Sequence, residues 1–301
     1  MQDLIVSPSP HIRHRDSTRS IMLDVVIALI PAVIASGILF GWRAIVLIFV
    51  CTASSFLSEY IYQKLCKRAI TVGDLSAVVT GVLLGLNLPV ATPIWQAVFG
   101  SVVAIVVVKQ LFGGIGCNFA NPAITARIVM FLSFSKTMAT YDAVSSATPL
   151  AQINNGGALP SLSEMFLGMH GGSVGETCTL ALLLGAIYLI CRKVITWHTP
   201  VVYIATVFVL TLALGEPALY HILSGGLVLG AFFMATDYVT TPSTPWGKVI
   251  FGLGCGVITV LIRVYGNYPE GVSFAILFMN ILTPYINIWT RRRHFGGVKK
   301  I

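Results

Sequence analysis

Apolar residues run in long, nearly unbroken stretches along this chain. They do not follow the 3.6- or 2-residue alternation of half-buried helices and strands. Ten stretches approach the about 20 apolar residues that cross a bilayer as a helix. They lie at 21–40, 44–62, 74–90, 94–112, 122–134, 177–191, 200–214, 219–236, 247–264 and 271–289. The fifth, sixth and seventh are short, which suits tilted or re-entrant helices or extension by polar residues. The pattern predicts an all-α, polytopic membrane protein of about ten transmembrane helices. The first stretch is too long for a signal-peptide core and many others follow, so it reads as a retained helix.

Composition agrees. The 301 residues are 56% hydrophobic and 10% charged, against about 25% charged in soluble domains. So few charges cannot cover a water-facing surface. A soluble enzyme, a nucleic-acid-binding domain and a disordered chain are thereby excluded.

The net charge of +8 acquires a meaning once it is placed on the stretches. With a cytoplasmic N-terminus, the inner side holds Arg13, Arg15, Arg19, Lys64, Lys67, Arg68, Lys109, Arg192, Lys193 and Lys248. It also holds Arg291, Arg292, Arg293, Lys299 and Lys300. The outer side holds only Arg43, Lys136 and Arg263, and Arg127 falls within the fifth stretch. Cytoplasmic loops carry the excess of Lys and Arg, so both termini are expected in the cytoplasm. The surplus charge then needs no nucleic acid as partner; membrane lipids suffice.

One membrane domain covers 1–301 in this reading. It comprises a first half (21–134), an outer loop (135–176), a second half (177–289) and a basic cytoplasmic tail (290–301). The halves look related. Gly81 and Gly85 recur as Gly226 and Gly230, 145 residues on. Thr92-Pro93, Phe99-Gly100, Gly114 and Ala123-Ile124 recur as Thr244-Pro245, Phe251-Gly252, Gly266 and Ala275-Ile276, 152 residues on. In a ten-span topology the two five-helix repeats are inverted, an architecture that places binding sites near the midplane.

Chemistry concentrates in three runs. Asp142–Thr148 has the form D-x-x-S-x-A-T and is followed by Pro149. A Thr hydroxyl needs a base or metal to act as a nucleophile. Thr148 has no neighbouring His, so it reads as an acceptor for another enzyme's transfer or as part of a Ser/Thr-rich turn. Gly113–Ala123 contains Gly113, Gly114, Gly116, Asn118 and Asn121-Pro122. Its glycines permit tight, left-handed backbone, and Asn-Pro reads as a helix start with proline at its first position. Such a start offers N–H donors to a phosphate, a carboxylate or a reduced flavin; a tight interhelical turn reads equally well. Met234–Pro245 carries Asp237 at the end of an apolar stretch, where an ionisable residue is a functional candidate by default. Asp24, Glu59, Asp74 and Arg127 share that status, although Glu59 and Asp74 flank the basic loop Lys64–Arg68 and could simply pair with it.

Other chemistries find no support. None of the six His lies mid-span, which disfavours bis-histidine haem. The six Cys form no C-x-x-C, and five lie in or beside apolar stretches as small hydrophobes. No nucleotide-binding glycine motif occurs. Without the attachment reading, inverted repeats alone describe a transporter or channel with no redox cofactor.

These runs together resemble the family shared by the D subunit of the Rnf complex, an ion-translocating ferredoxin:NAD+ oxidoreductase, and the B subunit of the sodium-translocating NADH:quinone oxidoreductase. Ser9-Pro10-His11-Ile12-Arg13, Ile21-Met22 and Leu29-Ile30-Pro31-Ala32 resemble its N-terminal pattern. Gly113–Ala123 resembles its G-G-x-G-x-N-x-F-N-P-A element, and Asp142–Thr148 its flavin-attachment motif. Asp237–Pro245 and Tyr268-Pro269-Glu270-Gly271-Val272 resemble later elements. The oxidoreductase B subunits usually carry a longer N-terminal extension, so the resemblance is nearer to the Rnf D subunits.

The resemblance implies an electron-transfer subunit of a bacterial cytoplasmic (inner) membrane complex coupled to Na+ or H+ translocation. It implies FMN joined to Thr148 by a phosphoester, made by a separate flavin transferase, with Asp142, Ser145, Ser146 and Ala147 completing the motif on the outer face. It implies partners among the other Rnf subunits, including a second covalent flavoprotein, and a noncovalent riboflavin. Gly113, Gly114, Asn118 and Asn121 are candidate cofactor contacts; Asp237, Asp74 and Glu59 are candidates for the ion path. Three positions depart from the family. Ser146 replaces the usual Gly, Phe119-Ala120 replaces Pro-Phe, and Asn287 stands where many relatives carry Asp.

Overall fold

The computed structural model describes residues 17–138, 149–155, 159–266 and 271–291. All regular structure among them is helical, and each of the ten apolar stretches contains helix. Helices α1 (Thr18–Phe40) and α2 (Trp42–Leu65) meet at Gly41, whose φ of 74° makes the corner. A 3₁₀ turn (Val72–Asp74) precedes α3 (Ser76–Leu86), and Leu75 between them is left-handed (φ 64°). Helix α4 (Ile94–Val102) continues as a π-helix, Val103–Gln110, ahead of α5 (Pro122–Ser133). Short helices α6 (Ser135–Met138), α7 (Pro149–Asn155) and α8 (Leu162–Leu167) follow.

The second half begins with α9 (Thr179–Cys191) and α10 (His198–Ala213). Next come α11 (Ala218–Leu223) and α12 (Leu227–Leu229), the latter running into a π-helix, Gly230–Met234. Helices α13 (Pro245–Tyr265) and α14 (Gly271–Thr290) close the fold. Among the described residues four helices, α1, α2, α13 and α14, are long and apolar enough to cross a membrane unaided.

Two stretches differ from the continuous helices expected of them. The stretch 219–236 is broken at Ser224–Gly226, where Gly225 and Gly226 both take φ 66°. Arg263 of α13 is 2% exposed and donates to the carbonyls of His221 (2.5 Å), Ser224 (3.0 Å) and Gly225 (3.1 Å). A cation thus satisfies carbonyls that a continuous helix would have bonded internally. Arg263 is therefore a buried cap and not a charge of an outer loop. The stretch 74–90 is helical only over α3. An extended segment caps its exit, with Val174 N–H donating to Leu88 O (3.0 Å) and Gly175 N–H to Leu86 O (2.7 Å).

Small residues set the helix spacings. A Cβ on Gly81 would lie 2.5 Å from Thr52 Cα, and one on Gly85 2.8 Å from Ile48 Cα, so α3 lies backbone-close on α2. Gly252 and Gly256 seat α13 on α10 in the same way. Both pairs are Gly-x-x-x-Gly, the spacing that lets membrane helices approach closely. Gly185 of α9 rests on the Ala28 carbonyl of α1. Helix α1 packs on α9 and α5 on α14, joining the halves. Asp24 of α1 accepts from Tyr188 Oη (2.8 Å) and Arg192 Nη2 (3.1 Å), which ties the α1–α9 contact at one end.

Candidate functional site between the halves

A cavity of about 110 Å³ lies where the two halves meet. Ser76, Lys109, Asn118 and Asn121 line it from the first half, and Phe232, Phe233, Thr236 and Asp237 from the second. The Asn-Pro start of α5 builds one wall as the sequence predicts. Pro122 takes the first turn, and Asn121 Oδ1 accepts from Ala123 N–H (3.0 Å) and Ile124 N–H (3.3 Å). The same side chain donates from Nδ2 to Met234 O (3.3 Å) in the opposite half. Asn280 of α14 bridges again, its nitrogen donating to Thr240 O (3.2 Å) and its oxygen accepting from Asn121 N–H (3.1 Å).

Asp237 closes the opposite wall. Its carboxylate accepts from Thr240 Oγ1 (3.2 Å) and Val239 N–H (3.5 Å), an Asx-type turn just beyond the π-helix, and it faces the Asn118 amide. Gly113 and Gly114 do not line the cavity. Both have positive φ, 123° and 98°, and they terminate the first π-helix, with Gly114 N–H on Lys109 O (3.0 Å). Their backbone freedom serves the turn that presents Asn118.

Lys109 connects the cavity to a deeper polar cluster. It is 3% exposed, and its Nζ donates to Glu59 Oε1 (2.9 Å), Glu59 Oε2 (2.8 Å) and Ser76 Oγ (2.6 Å). Gln110 Nε2 also donates to Glu59 Oε1 (2.8 Å), and Gln63 does so at 3.3 Å. Asp74 caps α3, its Oδ1 accepting from Ser76 N–H (2.8 Å) and Ser76 Oγ (2.5 Å). Asp74 Oδ2 is buried without a hydrogen-bond partner among the described residues. Glu59 and Asp74 thus belong to one cluster, and its ammonium comes from the π-helix after α4, not from the basic loop. Charge sidedness alone puts Lys109 on the inner surface; the structure buries it instead. Its signal in the sequence is that of a lone cation closing an apolar run.

Asp142, Ser145, Ser146, Ala147 and Thr148 lie outside the described residues. The chain is described again from Pro149, where α7 starts at the next position. Leu150 is buried, and its Cδ1 would meet a Cβ placed on Gly225 at 2.6 Å. The chain that follows the Asp142–Thr148 run is therefore anchored on the break between α11 and α12. Buried charge gathers at the same break. A Cβ on Gly226 would come within 3.3 Å of Glu176 Oε2 and 4.0 Å of Arg127 Nη1. Glu176 accepts from Ser173 Oγ (2.5 Å), and Arg127 donates to Ser273 Oγ (2.9 Å).

Fold and site together define a helical membrane protein with a cavity of mixed apolar and polar lining at the junction of two halves and buried charge at a broken helix. The chain belongs to the NQR2, RnfD, RnfE family, whose model matches residues 5–296. It is 48% identical over 307 residues to the D subunit of the Na(+)-translocating ferredoxin:NAD(+) oxidoreductase complex of Acetobacterium woodii, covering 99% of this chain and 96% of that protein. It is 41% identical to the D subunit of the proton-translocating ferredoxin:NAD(+) oxidoreductase complex of Clostridium ljungdahlii, covering 97% and 96%. The D subunit of the ion-translocating oxidoreductase complex of Escherichia coli is 32% identical over 98% of this chain and 99% of its own.

Proposed function

We propose that this chain is the D subunit of a membrane-bound, ion-translocating ferredoxin:NAD+ oxidoreductase, and that it carries electrons on FMN esterified to Thr148. Similarity over nearly the whole length to subunits so named supports the first part. The second rests on Asp142–Thr148. FMN supplies one-electron transfer, and the chain's part is to hold and tune it. Leu150, two residues further on from Thr148, is anchored on the α11–α12 break.

The cavity between the halves, at about 110 Å³, is smaller than a pocket that encloses a whole ligand of this size, so our assignment for the noncovalent riboflavin is that one edge of its ring enters here. Asn118 supplies an amide group for a polar ring edge, and Phe232 and Phe233 supply apolar faces, the lining that planar ligands use. Ten spans in two inverted repeats, both termini cytoplasmic and the 135–176 loop outside, form part of the same reading. Helix in all ten stretches and the packing of α1 on α9 and α5 on α14 support it. So do the left-handed openers of α3 and α12, Leu75 (φ 64°) and Gly226 (φ 66°). For the translocated cation, Asp237 and Asp74 are better placed than Glu59, whose charge Lys109 already neutralises.

Co-expression with a flavin transferase tests the attachment. The intact chain should gain one FMN by mass and fluoresce in a denaturing gel, and Thr148→Ala should abolish both. Unmodified wild-type chain, or flavin retained in Thr148→Ala, overturns the assignment. A transporter without redox cofactor is the reading that a flavin-free chain would favour, since broken helices around a midplane cavity are also a transporter trait. Reporter fusions placing 135–176 in the cytoplasm would overturn the topology.

A further inference from the structure

A second cavity, of about 270 Å³, lies where the ends of α9, α10 and α13 converge. Lys193, Thr196, Thr199, Ser243 and Lys248 line it, with Asp237 in the wall it shares with the first cavity. Four observations give it the character of an oxyanion site. Neither Lys193 nor Lys248 has an ion pair among the described residues, and Lys248 Nζ is held at the cavity by Thr196 Oγ1 (2.9 Å). Thr199 is 1% exposed, and its Oγ1 has no hydrogen-bond partner among the described residues. Helix α10 begins beside it without a side-chain cap, so its positive end lies at the cavity, whereas the start of α13 is capped by Thr244. The acid in the lining, Asp237, is turned onto Val239 and Thr240.

Lys193 adds a sign of cost. It follows the C-cap of α9 with φ 57°, donating its N–H to Ile190 O (3.0 Å) while Val194 N–H reaches Leu189 O (3.0 Å). Glycine is the favoured residue at that position of such a cap, because a Cβ is strained there. Lysine in its place keeps a charge at the cavity against the backbone's preference.

The surroundings indicate the source of the anion. Trp197 and Trp246 are exposed at the starts of α10 and α13. Exposed Trp289 stands beside them, since Thr290 Oγ1 and Thr244 Oγ1 hydrogen-bond at 2.6 Å. A ring of tryptophans at the ends of apolar helices marks the headgroup level of a bilayer. We propose that this cavity binds the phosphate of an anionic phospholipid headgroup, held by Lys193, Lys248 and the Thr199 hydroxyl.

The test uses the full chain, delipidated in mild detergent. It is titrated with phosphatidylglycerol or with phosphatidylcholine of the same acyl chains, and bound lipid is read by native mass spectrometry. Phosphatidylglycerol should be preferred. Each lysine removed should weaken it about 5-fold, so Lys193→Gln with Lys248→Gln loses about 25-fold while phosphatidylcholine is unchanged. The pair Lys193→Arg and Lys248→Arg should keep most of the preference. Lys193→Gly separates binding from folding: it relieves the left-handed strain, so its thermal midpoint should not fall while binding drops about 5-fold. An unchanged preference in the double glutamine variant overturns the site. Inorganic phosphate that binds alone through the same lysines and fully displaces phosphatidylglycerol overturns the lipid as its occupant.

Discussion

At the scale of single residues, Glu59 and Lys109 dominate the interior of the first half. Two opposite charges removed from water are tolerable only when their hydrogen bonds are complete. Ser76, Gln110 and Gln63 complete them here. Removing one partner leaves a buried charge without compensation, at about 3–5 kcal/mol. Lys109→Met should therefore lower stability strongly, read as the thermal midpoint in detergent. Adding Glu59→Gln should restore most of the loss. A double variant no better than the single one would show that the ammonium matters for reasons other than neutralising Glu59. Asn121 is the other residue with two duties, capping α5 and reaching Met234 O across the junction. Asn121→Ala should cost about 1 kcal/mol for the cap alone. Asn121→Asp keeps the cap acceptor and removes the donor to Met234 O, so denaturant titration of both variants separates the two duties.

Elements in this fold are placed by absence of side chain as much as by burial. Helix α3 is only 11 residues long and cannot span a bilayer by itself. It holds its place because Gly81 and Gly85 let it lie on the α2 backbone. Gly81→Ala drives a methyl into Thr52 Cα and Cys51 O, atoms that cannot rotate away. A loss of about 1–3 kcal/mol is expected, as for other overpacked contacts, measured as a lower unfolding midpoint. Gly73, with nothing within 4 Å of its Cβ position, supplies the control, since Gly73→Ala should be nearly silent. The glycine pairs are visible in the sequence and suggest a repeat. Their roles differ in the structure: Gly81 is interior to α3, whereas Gly226 opens α12 in a left-handed turn. The residue that opens α3 in that conformation is Leu75, a position that no composition rule picks out.

For the molecule as a whole, the segment between the halves is more than a connection. Residues 173–176 dock on the exit of α3, and Ser36 Oγ of α1 donates to Val174 O (2.8 Å). His170 lies buried beside that segment, its Nδ1 3.0 Å from Gly171 O. Burial holds its pKa below the ordinary 6.5, although backbone hydrogen bonds oppose the shift. The unfolded imidazole takes up a proton near 6.5 and the folded one does not. The contribution is therefore complete above that pH and is lost as pH falls through and below it. The amide protection factors over 168–176, exchange rates divided into the intrinsic rate at each pH, should fall on acidification below about pH 6.5, and His170→Phe should flatten that response. Protection that is equally pH-dependent in the variant would place the titrating group elsewhere.

Much of this protein was legible in its residues. Long apolar runs determined a helical membrane protein, because hydrocarbon leaves the backbone no other local way to satisfy its polar groups. Asn121-Pro122 determined the start of α5, and the family motifs determined the class of protein. Those are local properties, readable from a residue and its neighbours. Tertiary structure decided which distant groups met. It broke the 219–236 stretch, because Arg263 supplies from another helix the donors that the α11 carbonyls would otherwise lack. It paired Lys109 with Glu59 across 50 positions and assembled Asn118, Asn121 and Asp237 around one cavity. Which charges are neutralised inside a membrane protein depends on approach between helices, and that is a property of packing, not of sequence order.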